Sequence, residues 1–210
     1  QCFWFAGKLD TPPDVSHFCP EAFFECPENL AIQRALFGGS RSRDQSLSDT
    51  VSEFSGELKI ELRRFIDRYE LDLLLPQNIL AIPMHVPLGL AVTALAEEGM
   101  PILAHHHDFS WERARFEGGC AGDYLQRAFP PALSERFLHV VINSGAGKDL
   151  FQRRGVPSSV IPNVFDFENP PSAPDGYGDD FRDQLGIAPD EVLVLQPTRV
   201  VPRKGIEFAI

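Results

Sequence analysis

At 210 residues, 43% of them hydrophobic, the chain has apolar material for one sizeable domain, or for one domain and part of another. A net charge of -11 and a pI near 4.9 exclude general binding to nucleic-acid backbones, which need basic patches. No apolar run reaches membrane-spanning length, the first residues lack the basic and apolar regions of a signal peptide, and the four cysteines form no C-x-x-C pair, so a cytoplasmic protein with reduced thiols is expected.

In chain order, "CFWF" reads as a strand and "PEAFFECPENLAIQRALFGG" as irregular to helical. Ser48 is placed to cap a long amphipathic helix, with Val51, Phe54, Leu58, Leu62, Phe65 and Ile66 spaced for one buried face. "LDLLLP" reads as a strand, and "PLGLAVTALAEEG" as a helix from near Pro87 to Gly99. "PILAHHH" and "FLHVVINS" are further strands. "AGKDLFQRRG" is a helix closed by Gly155, and "SSVIPNV" a short strand. This alternation predicts an α/β fold, a parallel sheet with helices on both faces. Residues 168–180, "ENPPSAPDGYGDD", have a linker's composition. The pattern then restarts with a helix around "DDFRDQLG", a strand "EVLVLQPT" and a helix from "RKGIEFAI". The chain opens at Gln1 and stops inside that helical pattern, so a piece of a longer protein is expected.

In doubly wound sheets ligands sit beyond the carboxyl ends of the strands. Four polar groups fall there: Asn78, the run His105 to Asp108, Asn143 with Ser144, and Arg199. Each has an ordinary alternative. Asn78 suits a turn, and Ser144 suits a helix N-cap. His139 and His85 read as packed or solvated groups. Three adjacent histidines raise the question of a metal, but strand alternation puts only His105 and His107 on one side, and no spaced partner pair follows. No metal is expected. "SGAGKD" fails as a phosphate loop, because Ile142 stands where the first Gly is needed and Asp149 where Ser or Thr is needed. In "PTRVVPRKGIE" two cations, Arg199 and Lys204, precede Gly205 and a helical pattern, which makes either a diphosphate receptacle or a solvated basic turn.

Three pieces in order resemble the retaining glycosyltransferases of family 4: "HDF" at 107–109, "HVVINSGAGKDLFQRRGVPSSVIPNVFDF", and "PTRVVPRKGIE". That family has the GT-B architecture, two facing Rossmann-like domains. The resemblance implies a Rossmann-like acceptor-side domain over 1–167, incomplete at its N-terminus, a linker at 168–180, and the start of a nucleotide-sugar-binding domain at 181–210. It implies that Arg199, Lys204 and Gly205 bind the donor's diphosphate, with Ser144 also on the donor-binding side. His107 would contact the donor sugar beside Asp108, with His106 as the other register, and Asn163 and Asp166 would belong to the interdomain crossover. Thr198 and Val164 stand where the family has Gly.

The activity implied is transfer of a hexose, with retention, from a donor such as GDP-mannose or UDP-glucose to a sugar, lipid-linked sugar or small-molecule acceptor. It needs no cofactor. Three alternatives stay open: a non-hydrolysing nucleotide-sugar epimerase, a metal-dependent hydrolase built on His105–His107, and a catalytically inactive sugar-nucleotide-binding module.

Overall fold

A computed structural model describes residues 1–132, 137–163, 166–169, 176–200 and 204–208. The chain divides into two compact units, 1–163 and 164–210. No helix among the described residues is long and apolar enough to cross a membrane.

In the first unit, β1 (Trp4–Ala6) pairs in parallel with β2 (Ser16–Phe18). Helix α1 (Pro27–Phe37) starts with Pro at its first position, where the missing N–H is not needed. Helix α2 (Gln45–Tyr69) is capped by Asp44, whose carboxylate accepts from the Leu47 amide at 2.8 Å. The cap expected at Ser48 therefore lies a turn inside the helix, its hydroxyl donating to the Asp44 carbonyl. Val51, Phe54, Leu58, Leu62 and Phe65 form the buried stripe. Helix α3 (Val86–Glu97) is buried nearly all round, as its almost wholly apolar sequence requires. Gly89 lets it approach Phe129: a Cβ there would lie 2.2 Å from the ring.

The main sheet has the order β3 (Ile102–His106), β4 (Phe137–Val141), β5 (Ser159–Val160), all parallel. Segment 71–78 runs beside β3 as a fourth line of chain, but only as isolated bridges, Leu74 with Ile102 and Gln77 with His105. Pro76 is the reason. Leu74 N donates to Pro101, Leu103 N to Leu74, His105 N to Pro76 and Asn78 N to His105, whereas proline has no N–H for the rung between. Helix α4 (Gly122–Ala128) precedes β4, and α5 (Ser144–Arg154) follows it, ending at Gly155 in the left-handed conformation.

The core lies against the face carrying Ile102, Ala104, Phe137 and Val141. On the other face Leu73, Leu75 and Leu138 are exposed while Val140 is buried, so among the described residues that face is covered only in part, where the sequence predicts helices on both.

In the second unit, the helix expected around 179–186 is the single turn α6 (Phe181–Gln184). The expected strand "EVLVLQPT" has no ladder partner among the described residues, and Val192, Val194 and Leu195 are exposed. An apolar run becomes a strand only when a neighbour takes its main-chain groups. The helix expected from Arg203 is, among the described residues, a 3-10 turn at Ile206–Phe208, with 209–210 outside them. Val164, Arg203 and 170–175 of the expected linker also lie outside them.

Candidate active site

The carboxyl end of β3 carries the densest group of polar side chains among the sequence-predicted positions. His105 and His107 share one side, their ring centroids 4.5 Å apart. His105 Nδ1 lies 2.9 Å and His107 Nε2 3.4 Å from the Gln77 side-chain oxygen. That oxygen accepts, so each imidazole offers it an N–H. Burial, with the neighbouring His107 second, lowers the pKa of His105 below the ordinary range.

His106 points the opposite way, into the core, where it is 1% exposed. Its Nε2 lies 3.0 Å from His139 Nδ1, and the two rings stack at 5.3 Å. One nitrogen donates and the other accepts, so the accepting ring is neutral. Burial first, then the neighbouring histidines, pushes His106 down to about 3; burial, then Arg154, pushes His139 down to about 4. The three adjacent histidines therefore do not converge on one point. Among the described residues no group of three or more His, Cys, Asp or Glu side chains is arranged to hold a metal. His85 is a packed group as well. It is the N-cap of α3, its Nδ1 accepting from Leu88 N while Nε2 faces the Glu21 carbonyl at 2.9 Å.

Asp108 is engaged on both oxygens. One accepts from Asn78 Nδ2 at 2.7 Å, and the other from Arg113 Nε at 3.0 Å and from its Nη2. Asn78 closes the arrangement by accepting from the His107 amide at 2.9 Å. The carboxylate thus holds the turn in shape, while the His107 ring faces solvent. Next to the turn Phe109 is fully buried and stacks on Trp111 at 4.4 Å.

At the end of β4 the N-cap is Asn143, whose side chain accepts from Ala146 N at 2.8 Å. Ser144, expected to be the cap, is the first helical residue and is exposed, because the residue before it already has the extended backbone a cap needs. Gly147 serves packing: a Cβ there would meet Ser158 Oγ at 3.1 Å and Val141 at 3.4 Å.

In the second unit Arg199 and Lys204 are both exposed. Gln196 Nε2 donates to the Lys204 carbonyl at 3.4 Å. Gly205 has φ +57, the left-handed conformation that favours glycine. A cavity of about 590 Å³ in the first unit lies elsewhere, lined by Thr93, Glu97, Arg127 and Phe137 at the amino ends of the strands.

The sequence did not point to Gln77, Arg113 or the pairing of His106 with His139. Gln77 stands beside Asn78, which was singled out, but its meeting with His105 depends on the parallel register of two separated segments.

No family model matches the chain, and no solved structure matches it. The mannosylglucosylglycerate synthase of Thermotoga maritima is 37% identical over 194 residues, which cover 90% of this chain and 44% of that protein. This chain is homologous to it. The mannosylglucosylglycerate synthase of Petrotoga mobilis is also 37% identical, over 216 residues that cover 100% of this chain and 48% of that protein. The chain spans about half the length of the curated relatives it matches, and the second match runs through both units.

Proposed function

We propose that the chain is part of a retaining glycosyltransferase, contributing the acceptor-side domain, the interdomain linker at 168–180 and the start of the donor-binding domain. The observation that carries this is the 37% identity to two mannosylglucosylglycerate synthases, which takes in the whole chain in one case. The order of the "HDF", "VIPNV" and "TRVVPRKG" segments adds to it. From the product for which the relatives are named, the transferred sugar is a mannosyl group from a nucleotide sugar and the acceptor is glucosylglycerate.

The chemistry fits the side chains available. The bond between the anomeric carbon and the diphosphate breaks, and the electron pair leaves with the diphosphate. The acceptor hydroxyl bonds to that carbon on the same face, and its proton passes to the departing phosphate. Negative charge grows on the leaving group, and Arg199 and Lys204 are the cations assigned to stabilise it. Gly205 lets the backbone come close, and Ser144 is assigned to the donor side. His107 contacts the donor sugar, with Asp108 holding the turn beside it. Asn163 and Asp166 are assigned to the crossover.

Calorimetric titration of a nucleoside diphosphate into the full-length protein tests the assignment. Arg199→Met and Lys204→Met should each weaken binding by roughly one to two powers of ten, from the loss of a charge-assisted hydrogen bond of about 1.5–3 kcal/mol. Arg203→Met should bind as the unmodified protein does. Unchanged binding in both the Arg199 and Lys204 variants refutes the diphosphate assignment.

A further inference from the structure

We propose that Asn78 is a positioning residue for the transfer reaction, holding the His107–Asp108 turn in its reactive geometry. The inference rests on the proposed donor-side role of His107.

Asn78 sits at φ 60, the left-handed region that costs most side chains energy but that asparagine tolerates. That conformation turns the chain out of the line beside β3, so that the side chain can reach back across to the His107–Asp108 turn. Both its main-chain and its side-chain groups are then used. Its N–H donates to His105 O at 2.8 Å, tying it to the strand. Its carbonyl accepts from Ala81 and Ile82. Its side-chain oxygen accepts from the His107 amide at 2.9 Å, and its side-chain nitrogen donates to Asp108 at 2.7 Å.

One amide group therefore grips a main-chain donor and a side-chain acceptor of consecutive residues. Arg113 holds the far oxygen of the same carboxylate. The His107–Asp108 turn is thus held at the His107 amide and at both oxygens of the Asp108 carboxylate, which fixes the stretch of main chain from which the His107 ring projects. Gln77, the preceding residue, meets the ring itself. Neither serine nor threonine could replace this grip, because a hydroxyl carries its donor and acceptor on one oxygen and cannot span the separate positions of the His107 amide and the Asp108 carboxylate.

Two variants separate positioning from folding. Asn78→Gly accepts the left-handed backbone and removes the side chain. Asn78→Asp also tolerates that backbone and keeps the acceptor for the His107 amide, but sets a carboxylate oxygen against Asp108 where the donor stood, a contact that holds only when the two acids share a proton. Hydrogen exchange at the His107 amide is measured in each, with the unfolding midpoint, and kcat and the donor KM of the full-length protein. In Asn78→Gly the His107 amide should exchange faster and kcat should fall about tenfold or more, with donor KM within about twofold and the protein folded. Asn78→Asp should recover amide protection and part of kcat relative to Asn78→Gly as the pH is lowered from 8 to 6, where the two carboxylates come to share a proton. Unchanged kcat in Asn78→Gly, with His107→Ala impaired, overturns the positioning role and leaves the proposed function standing. Identical losses in the Gly and Asp variants, matched by the drop in unfolding midpoint, also overturn it, because Asn78 then serves the fold alone. An unimpaired His107→Ala overturns the donor-side reading of His107, and the role of Asn78 with it.

Discussion

Lowering the pH from 7 to 5 should unfold the first unit more easily, through three buried imidazoles. His85, His106 and His139 are 5%, 1% and 6% exposed. Burial pushes them down to about 4, about 3 and about 4, from an ordinary value of 6.5. The unfolded chain therefore takes up protons below pH 6.5 that the folded chain refuses. The stability contributed by the neutral imidazoles is complete above about pH 6.5, and is lost as pH falls from there toward their folded values. At pH 5 each group costs about 2 kcal/mol by that linkage, and the three together roughly 4–6 kcal/mol, since His106 and His139 share a hydrogen bond and do not titrate independently. Against a domain stability of about 5–15 kcal/mol this is a large fraction. Glu98 and Asp123, lowered by hydrogen bonds from Lys59 and Arg43, lose their contribution only at lower pH. Glu112 is raised by burial and works in the opposite direction, stabilising the fold on the acid side. The assay is urea unfolding followed by tryptophan fluorescence, from Trp4 and from Trp111 stacked on buried Phe109, at half-unit steps from pH 8 to pH 4.5. The slope of stability against pH should approach about three protons near pH 5, at 1.36 kcal/mol per proton per pH unit. His85→Asn keeps a favoured N-cap for α3 and removes one titrating group, so the slope should fall to about two. A stability that does not change between pH 7 and pH 5 refutes the neutral buried pair.

Gly89→Ala should destabilise the first unit by about 1–3 kcal/mol, although alanine is the better helix former, because its Cβ would enter the ring of buried Phe129; the urea midpoint measures it. Removing the Arg113 guanidinium as Arg113→Met should leave the Asp108 carboxylate with Asn78 alone and cost about 1–3 kcal/mol, visible as a lower thermal midpoint. Elemental analysis of tag-free protein should show no stoichiometric zinc. Zinc at one per chain that disappears in His105→Ala would overturn the expectation that the histidine run holds no metal.

What the sequence determined by itself was local and periodic. The stripe Val51 to Phe65 repeats at the helical period, and α2 buries those residues. The helix read from near Pro87 to Gly99 is α3, Val86–Glu97. Gly155 closes α5 in a left-handed conformation, and the alternation along 105–107 put His106 opposite its neighbours, as found. What the tertiary structure decided depends on residues far apart in the chain. Asp44 took the cap of α2 and Asn143 that of α5, because capping depends on the backbone angle of one residue, which several polar residues nearby could have adopted. Pro76 broke the ladder of 71–78 only once a neighbour existed to leave unpaired. The partner of His106 is His139, 33 residues on, and the partners of the His107–Asp108 turn are Asn78, 29 and 30 residues before it, and Arg113, five after Asp108. Periodicity describes which way a side chain faces. It does not say what stands opposite, because parallel register is set by the packing of whole segments.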